Sequence, residues 1–144
     1  MSKGSELTDS LVECLGRIST GNGYATDIQG GYVHAEAVPD GAQLPCVLIN
    51  IESDAVTGSA GVQATRERTY SIQVAFRRGA TEKELNAAAC DILRAVGFGR
   101  HEYEREIKGL VTDEQEINYD FATNGSSYTT VTMLVTFVYV ETYA

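Results

Sequence analysis

The stretch Thr69 to Val96, TYSIQVAFRRGATEKELNAAACDILRAV, decides the fold. With Arg68 before it, its first part alternates: Arg68, Tyr70, Ile72, Val74 and Phe76 fall on one face, and Thr69, Ser71, Gln73, Ala75 and Arg77 on the other. A period of two with β-branched and aromatic residues predicts a strand, one face in the core and the other towards water or a partner. After Arg77-Arg78-Gly79 the period changes. Thr81 and Glu84 have the spacing of a capping box, in which two otherwise unpaired backbone donors are satisfied. Leu85, Ala88, Ala89, Ile92, Leu93 and Val96 then recur at three and four, and Gly97 supplies a stop. The alanines on the inner face let this helix lie close to a sheet.

Further strands and a second helix lie to either side. Upstream, Leu7, Leu11, Cys14, Leu15 and Ile18 make one apolar stripe, predicting a helix over Ser5 to Ile18 that Gly21-Asn22-Gly23 stops. Tyr24 to Leu44 is glycine-rich, with a short strand expected at Tyr32 to Ala37 and a turn at Pro39-Asp40-Gly41. Pro45 opens Cys46 to Glu52, a strand on which Val47, Ile49 and Ile51 share a buried face. Downstream, strands are expected at Glu114 to Ala122 and Tyr128 to Tyr143, joined by a hairpin loop at Asn124-Gly125. In the last strand Val131, Met133, Val135, Phe137 and Tyr139 share one face, and its length suits an interior position.

These elements predict an α+β fold: a mostly antiparallel or mixed β-sheet packed on one side by two main helices. The 144 residues, 43% of them hydrophobic, suit a single domain spanning residues 1–144. The ten residues Ala55-Val56-Thr57-Gly58-Ser59-Ala60-Gly61-Val62-Gln63-Ala64 are small and uncharged. Such residues bury little surface to offset their ordering entropy, so a mobile, partner-binding loop is expected there.

Charge and chemistry narrow the function. A net charge of -9 and a pI near 4.6 argue against a sequence-independent grip on nucleic acid. MSKGSELTDS has no apolar signal core and no apolar run is long enough to span a bilayer, so a soluble, unexported protein without membrane partners is expected. Cys14, Cys46 and Cys90 lack Cys-x-x-Cys spacing and sit among apolar residues, as buried thiols in a reducing cytoplasm would. His34 and His101 have no metal-ligand spacing, and no glycine run forms a phosphate loop. The carboxylates of Glu102, Glu104, Glu106, Asp113, Glu114 and Glu116 lie in charge-dense runs that read as solvated faces. No catalytic residue, cofactor or metal ligand is therefore assigned.

Arg66, Arg68, Arg77 and Arg78 are the basic concentration of this acidic chain and bracket one strand. They guard a strand edge against aggregation, or they supply charge-assisted contacts to carboxylates of neighbouring subunits.

The order of elements, the strand entry Leu44-Pro45-Cys46-Val47 and the ending Thr132 to Glu141 resemble the tail terminator proteins of long-tailed bacteriophages, the family of the minor tail protein U of lambdoid phages. The likeness runs from about Leu7 to Tyr143. It implies a non-enzymatic virion protein, assembled in the host cytoplasm, of which six copies form a homo-oligomeric ring at the head-tail junction. Such a ring caps the finished tail tube, stops its polymerisation and offers a surface to the head-tail connector protein. DNA passes through it without being bound specifically, and an acidic wall that repels phosphate suits that passage. The Ala55 to Ala64 loop is then expected to order on contact with the tail tube protein. The alternatives are another phage neck or connector completion protein, and a small-molecule-binding α+β domain.

Overall fold

A computed structural model describes residues 2–35, 37–96, 110–122 and 127–143. The elements in chain order are α1 (Lys3–Leu15), a 3-10 turn (Thr20–Asn22), β1 (Gln29–Val33), β2 (Cys46–Ala60), β3 (Gln63–Arg77), α2 (Glu82–Ala95), β4 (Leu110–Asp120) and β5 (Tyr128–Thr142). The strands form one mixed sheet in the order β1-β2-β3-β5-β4. Only the β1-β2 pair is parallel; the other three are antiparallel. The α+β architecture predicted from the sequence is the one observed.

Both helices lie over one face of the sheet. Leu7, Leu11, Leu15 and Ile18 meet Leu85, Ala88 and Ile92 above Val47, Ile49, Tyr70, Ile72, Val74, Val131, Met133, Val135 and Phe137 in one buried cluster. Tyr70 and Phe137 meet edge to face at its centre, their ring centroids 5.7 Å apart. The inward faces of β3 and β5 are thus the predicted ones, and β5 lies in the interior of the sheet. Helix α2 starts as expected, with the reciprocal Thr81–Glu84 capping box in place. Gly97 lies outside the described residues.

Other expectations are corrected. Helix α1 runs Lys3–Leu15 instead of Ser5 to Ile18, because the Ser2 side chain caps it by accepting from Ser5 N. Ile18 stays in the core beyond the helix end, its carbonyl accepting from Ile28 N. The short strand lies at Gln29–Val33, since His34 at φ 60 breaks the extended run before Ala37. Pro39 to Ala42 makes the expected turn, with Gly41 at φ 77 and Ala42 N donating to Pro39 O. Strand β4 begins at Leu110 and ends at Asp120, earlier than expected at both ends. The Asn124-Gly125 loop lies outside the described residues, although Asp120↔Thr130 pairing is that of a hairpin. Cys14 and Cys46 are buried as predicted, but Cys90 is exposed, because it falls on the outer side of α2.

The second sheet face is partly covered. Cys46, Leu48 and Ala75 form a small buried cluster under Tyr32, Ala35, Val38, Ala42 and Leu44. The segment after β1 therefore straps this face, held by His34 N to Ile49 O and by the Asn50 side chain to Ala35 O.

The largest difference lies at Ala55 to Ala64. In place of a loop, β2 and β3 continue as paired strands up to Ala60↔Gln63, with only Gly61 and Val62 at the turn. Gly61 has φ 60, the geometry a two-residue hairpin connection needs and one that glycine adopts without strain. Strand β5 pairs with β3 all the way to Gln63↔Thr142, so the projection is a three-stranded arm. Residues 55–63 are exposed throughout. The helices do not extend over this part of the sheet, and Ile51, expected to be buried with Val47 and Ile49, is 38% exposed at its start.

Candidate functional site

The arm joins the body at a polar knot. Alternation places Arg68 and Arg66 on the helix-covered face of β3, in line with Tyr70 and Ile72 but past the end of the apolar core. A guanidinium there needs a partner, and Asp54 supplies it from the adjacent strand. Arg66 Nε donates to Asp54 Oδ1 at 2.6 Å and Arg68 Nε to Asp54 Oδ2 at 2.7 Å. The Tyr139 hydroxyl, from β5, donates to the same Oδ2. Asp54 is brought into line by the strand irregularities on either side of it, between Ile51 and Ser53 and between Val56 and Gly58.

The knot also reaches α1 and the chain's far end. Arg68 Nη1 donates to Gly4 O at 2.9 Å, Arg68 Nη2 to the Tyr139 hydroxyl at 3.2 Å, and the guanidinium lies over the Tyr139 ring. A Cβ on Gly4 would come within 2.6 Å of Arg68 Nη2, so a side chain here would push the guanidinium out of its present place. Thr8 Oγ1 and the Tyr70 hydroxyl share a hydrogen bond of 2.6 Å beneath it. Arg66 Nη1 donates to the Tyr143 hydroxyl, and Lys3 N to Glu141. Asp54, Arg66, Arg68, Tyr139, Glu141 and Tyr143 surround a shallow concavity of about 310 Å³.

The electrostatics follow from these bonds. Burial pushes the Asp54 carboxyl up, but hydrogen bonds from Tyr139, Arg66 and Arg68 outweigh it and hold the group below the ordinary aspartate value. Desolvation and the bond to Asp54 push the Tyr139 hydroxyl up to about 12. Both arginines are pushed further up, Arg66 chiefly by its bond to Asp54; for Arg68 burial works the other way and is outweighed by Tyr70 and Asp54. One anion thus holds two fixed cations.

The four predicted arginines do not form one patch. Arg68 and Arg77 stand nine positions apart on β3, about 30 Å along an extended strand. Arg77 pairs with Glu84 at 2.9 Å and so braces the capping box of α2, while Arg78 is exposed just beyond the strand end. The edge-guarding reading is corrected, because β3 is the middle strand of the five. The missed residue is Asp54. Its signal was available: arginines on a strand's core-facing register call for a carboxylate on a neighbour.

A second concavity, of about 810 Å³, lies between the start of α2 and residues 25–27 and 43–45, with Phe76 and Lys83 in its wall. Its carboxylates are committed within the fold. Asp27 accepts from Thr20 N at 2.7 Å, and Glu84 from Arg77 and Thr81 N. Behind it the buried Asp91 accepts from Ala25 N, Thr26 N and Thr26 Oγ1, fixing that wall.

Among the described residues no three His, Cys, Asp or Glu side chains come together as metal ligands, and no helix is long and apolar enough to cross a membrane. His34 is exposed; His101, Glu102, Glu104 and Glu106 lie outside the described residues. No family model matches the chain, and no curated protein matches it.

Proposed function

We propose that this chain is a ring-forming structural protein of a phage tail, acting as a tail terminator: copies close into a ring of six on the finished tube, end its polymerisation and receive the head-tail connector. The observation that carries the reading is the arm. An acidic body of sheet and two helices projects three strands whose β2–β3 tip, from Ala55 to Thr65, bears no charge, while Glu141 on the third strand beside it accepts from Lys3 N. A surface of this kind suits docking on another protein, since contact there removes no ion from water. The element order that underlies the resemblance to tail terminators is present in the fold, with the expected flexible loop replaced by paired strands.

The arm alters how the partner reading works. Its backbone is already ordered by ladder pairing, so little ordering entropy remains to be lost when the tube is met. Arg66 and Arg68 then act by aiming the arm. The carboxylates around the second concavity are bound internally, which gives the small-molecule reading no specific support.

The test is electron microscopy of lysates from a phage lacking this gene. Overlong tails of variable length, unjoined to filled heads, are expected. Tails of normal length that fail to join heads would assign a neck protein instead, and normal infectious particles would remove the virion role.

A further inference from the structure

Among the described residues the sheet has two open edges, and they are built differently. Strand β1 pairs with β2 only from Cys46 to Ile49, so from Asn50 to Ala60 the outer side of β2 has no strand beside it among the described residues. Ladder groups left open in this way are a template for another strand. The run Ala55 to Ala60 is exposed and contains no charge and no proline; an irregularity at Thr57 is its sole interruption. The opposite edge, β4, carries Glu116 and Asp120, with no lysine or arginine between Leu110 and Asp120.

These compositions decide what each edge accepts. Two copies of β4 side by side would set carboxylates against carboxylates, which is destabilising. Two copies of the β2 arm would set alanine, valine, glycine and serine against the same residues, with no like charges opposed although each protein carries -9. We propose that the outer edge of β2 is a self-association surface whose occupant is the same strand of a second copy, antiparallel about a two-fold axis. Val56 and Val62, 53% and 54% exposed, lie on this arm and lose water contact in the pair. The irregularity at Thr57 divides the run into Ala55 to Val56 and Gly58 to Ala60, so the pairing is short and the dimer reversible. The inference stands apart from the terminator reading, in which subunits meet head to tail around a ring. In the free protein it occupies the arm until another strand displaces the copy.

Sedimentation velocity over a wide concentration range tests it, on the full chain, on Ala55→Lys/Ser59→Lys, and on Asn118→Lys at the other edge, with circular dichroism to confirm folding. The expected result is a monomer-dimer equilibrium for the unmodified chain and for Asn118→Lys, with the double-lysine dimer weakened by about tenfold or more. An unmodified chain that stays monomeric overturns the proposal, as does a double-lysine variant that associates normally. An unmodified chain that forms a six-copy ring with no dimer at any concentration also overturns it and leaves the terminator reading standing.

Discussion

Asp54 and Tyr139, 85 residues apart in the chain, meet at one carboxylate oxygen that Arg68 also engages. Three strands of the sheet are tied at that oxygen, at the level where the helices end and the arm begins. Asp54→Asn keeps the shape and removes the charge, leaving two guanidinium groups face to face. Solvent screens much of the effect at this half-open position, so the expected loss is about 1–2 kcal/mol, read from urea denaturation. Hydrogen exchange in residues 53–68 is expected to rise more than in α2.

The same pair fixes a pH dependence. The Asp54 carboxyl is depressed in the folded state, so its contribution is complete above the unfolded value near 3.8 and is lost as pH falls through the lower folded value. The stability difference between the unmodified chain and Asp54→Asn should therefore narrow below about pH 4. Tyr139 has the opposite sense. Its hydroxyl is raised from 10.0 to about 12, so its contribution is present below pH 10 and is lost between the two values. Tyr139→Phe should flatten the alkaline limb of the stability curve, and an unchanged limb would refute the assignment.

Asp91 is buried and holds Ala25 and Thr26 through their backbone N–H groups. Asp91→Ala strands those donors beneath the loop, and a loss of about 2–3 kcal/mol is expected in thermal or urea unfolding. A loss below about 0.5 kcal/mol, the level of an ordinary surface change, would mean that the loop is held by Arg94 and Tyr24 instead.

Gly61 turns the arm at φ 60. Gly61→Val places a β-branched side chain in the left-handed region and is expected to cost about 1–2 kcal/mol, with raised hydrogen exchange at residues 58–65 and no change in the core. Nothing lies within 4 Å of the Cβ position, so the cost comes from the backbone and not from a clash.

The arginines should separate by role. Arg78→Glu, at an exposed position, tests a subunit contact: assembly lost while the melting temperature is kept is the expected outcome, and assembly kept would remove Arg78 from the interface. Arg66→Glu sets a carboxylate against Asp54 and should lower the melting temperature before any assembly defect can be read.

Strand β3, helix α2 and strand β5 were legible because their signals are local: a period of two, a capping box, a period of three to four. The arm was not, because Ala55, Gly58, Ser59 and Ala60 have little strand preference of their own; their extended conformation comes from pairing with residues 63–67, a non-local effect that overrides composition. The strap at residues 34–44 was hidden for a similar reason, since its few apolar residues act on Cys46, Leu48 and Ala75 and not on each other. Arg66 and Arg68 were found, but their partner was not. Asp54 sits beside a strand irregularity that shifts the alternation by which β2 was read. Local patterns supplied the order of elements, and the fold supplies where they stop.

Strands β3 and β5 run unbroken from the arm's tip to the floor of the core, pairing from Gln63↔Thr142 to Arg77↔Tyr128. Their ladder bonds lie across the strand direction, so a pull along the arm loads many of them at once in shear. A force applied at the tip is delivered to the residues that pack under both helices, with no joint in between to absorb it. The arm is a cantilever, and whatever grips its end tugs on the whole molecule.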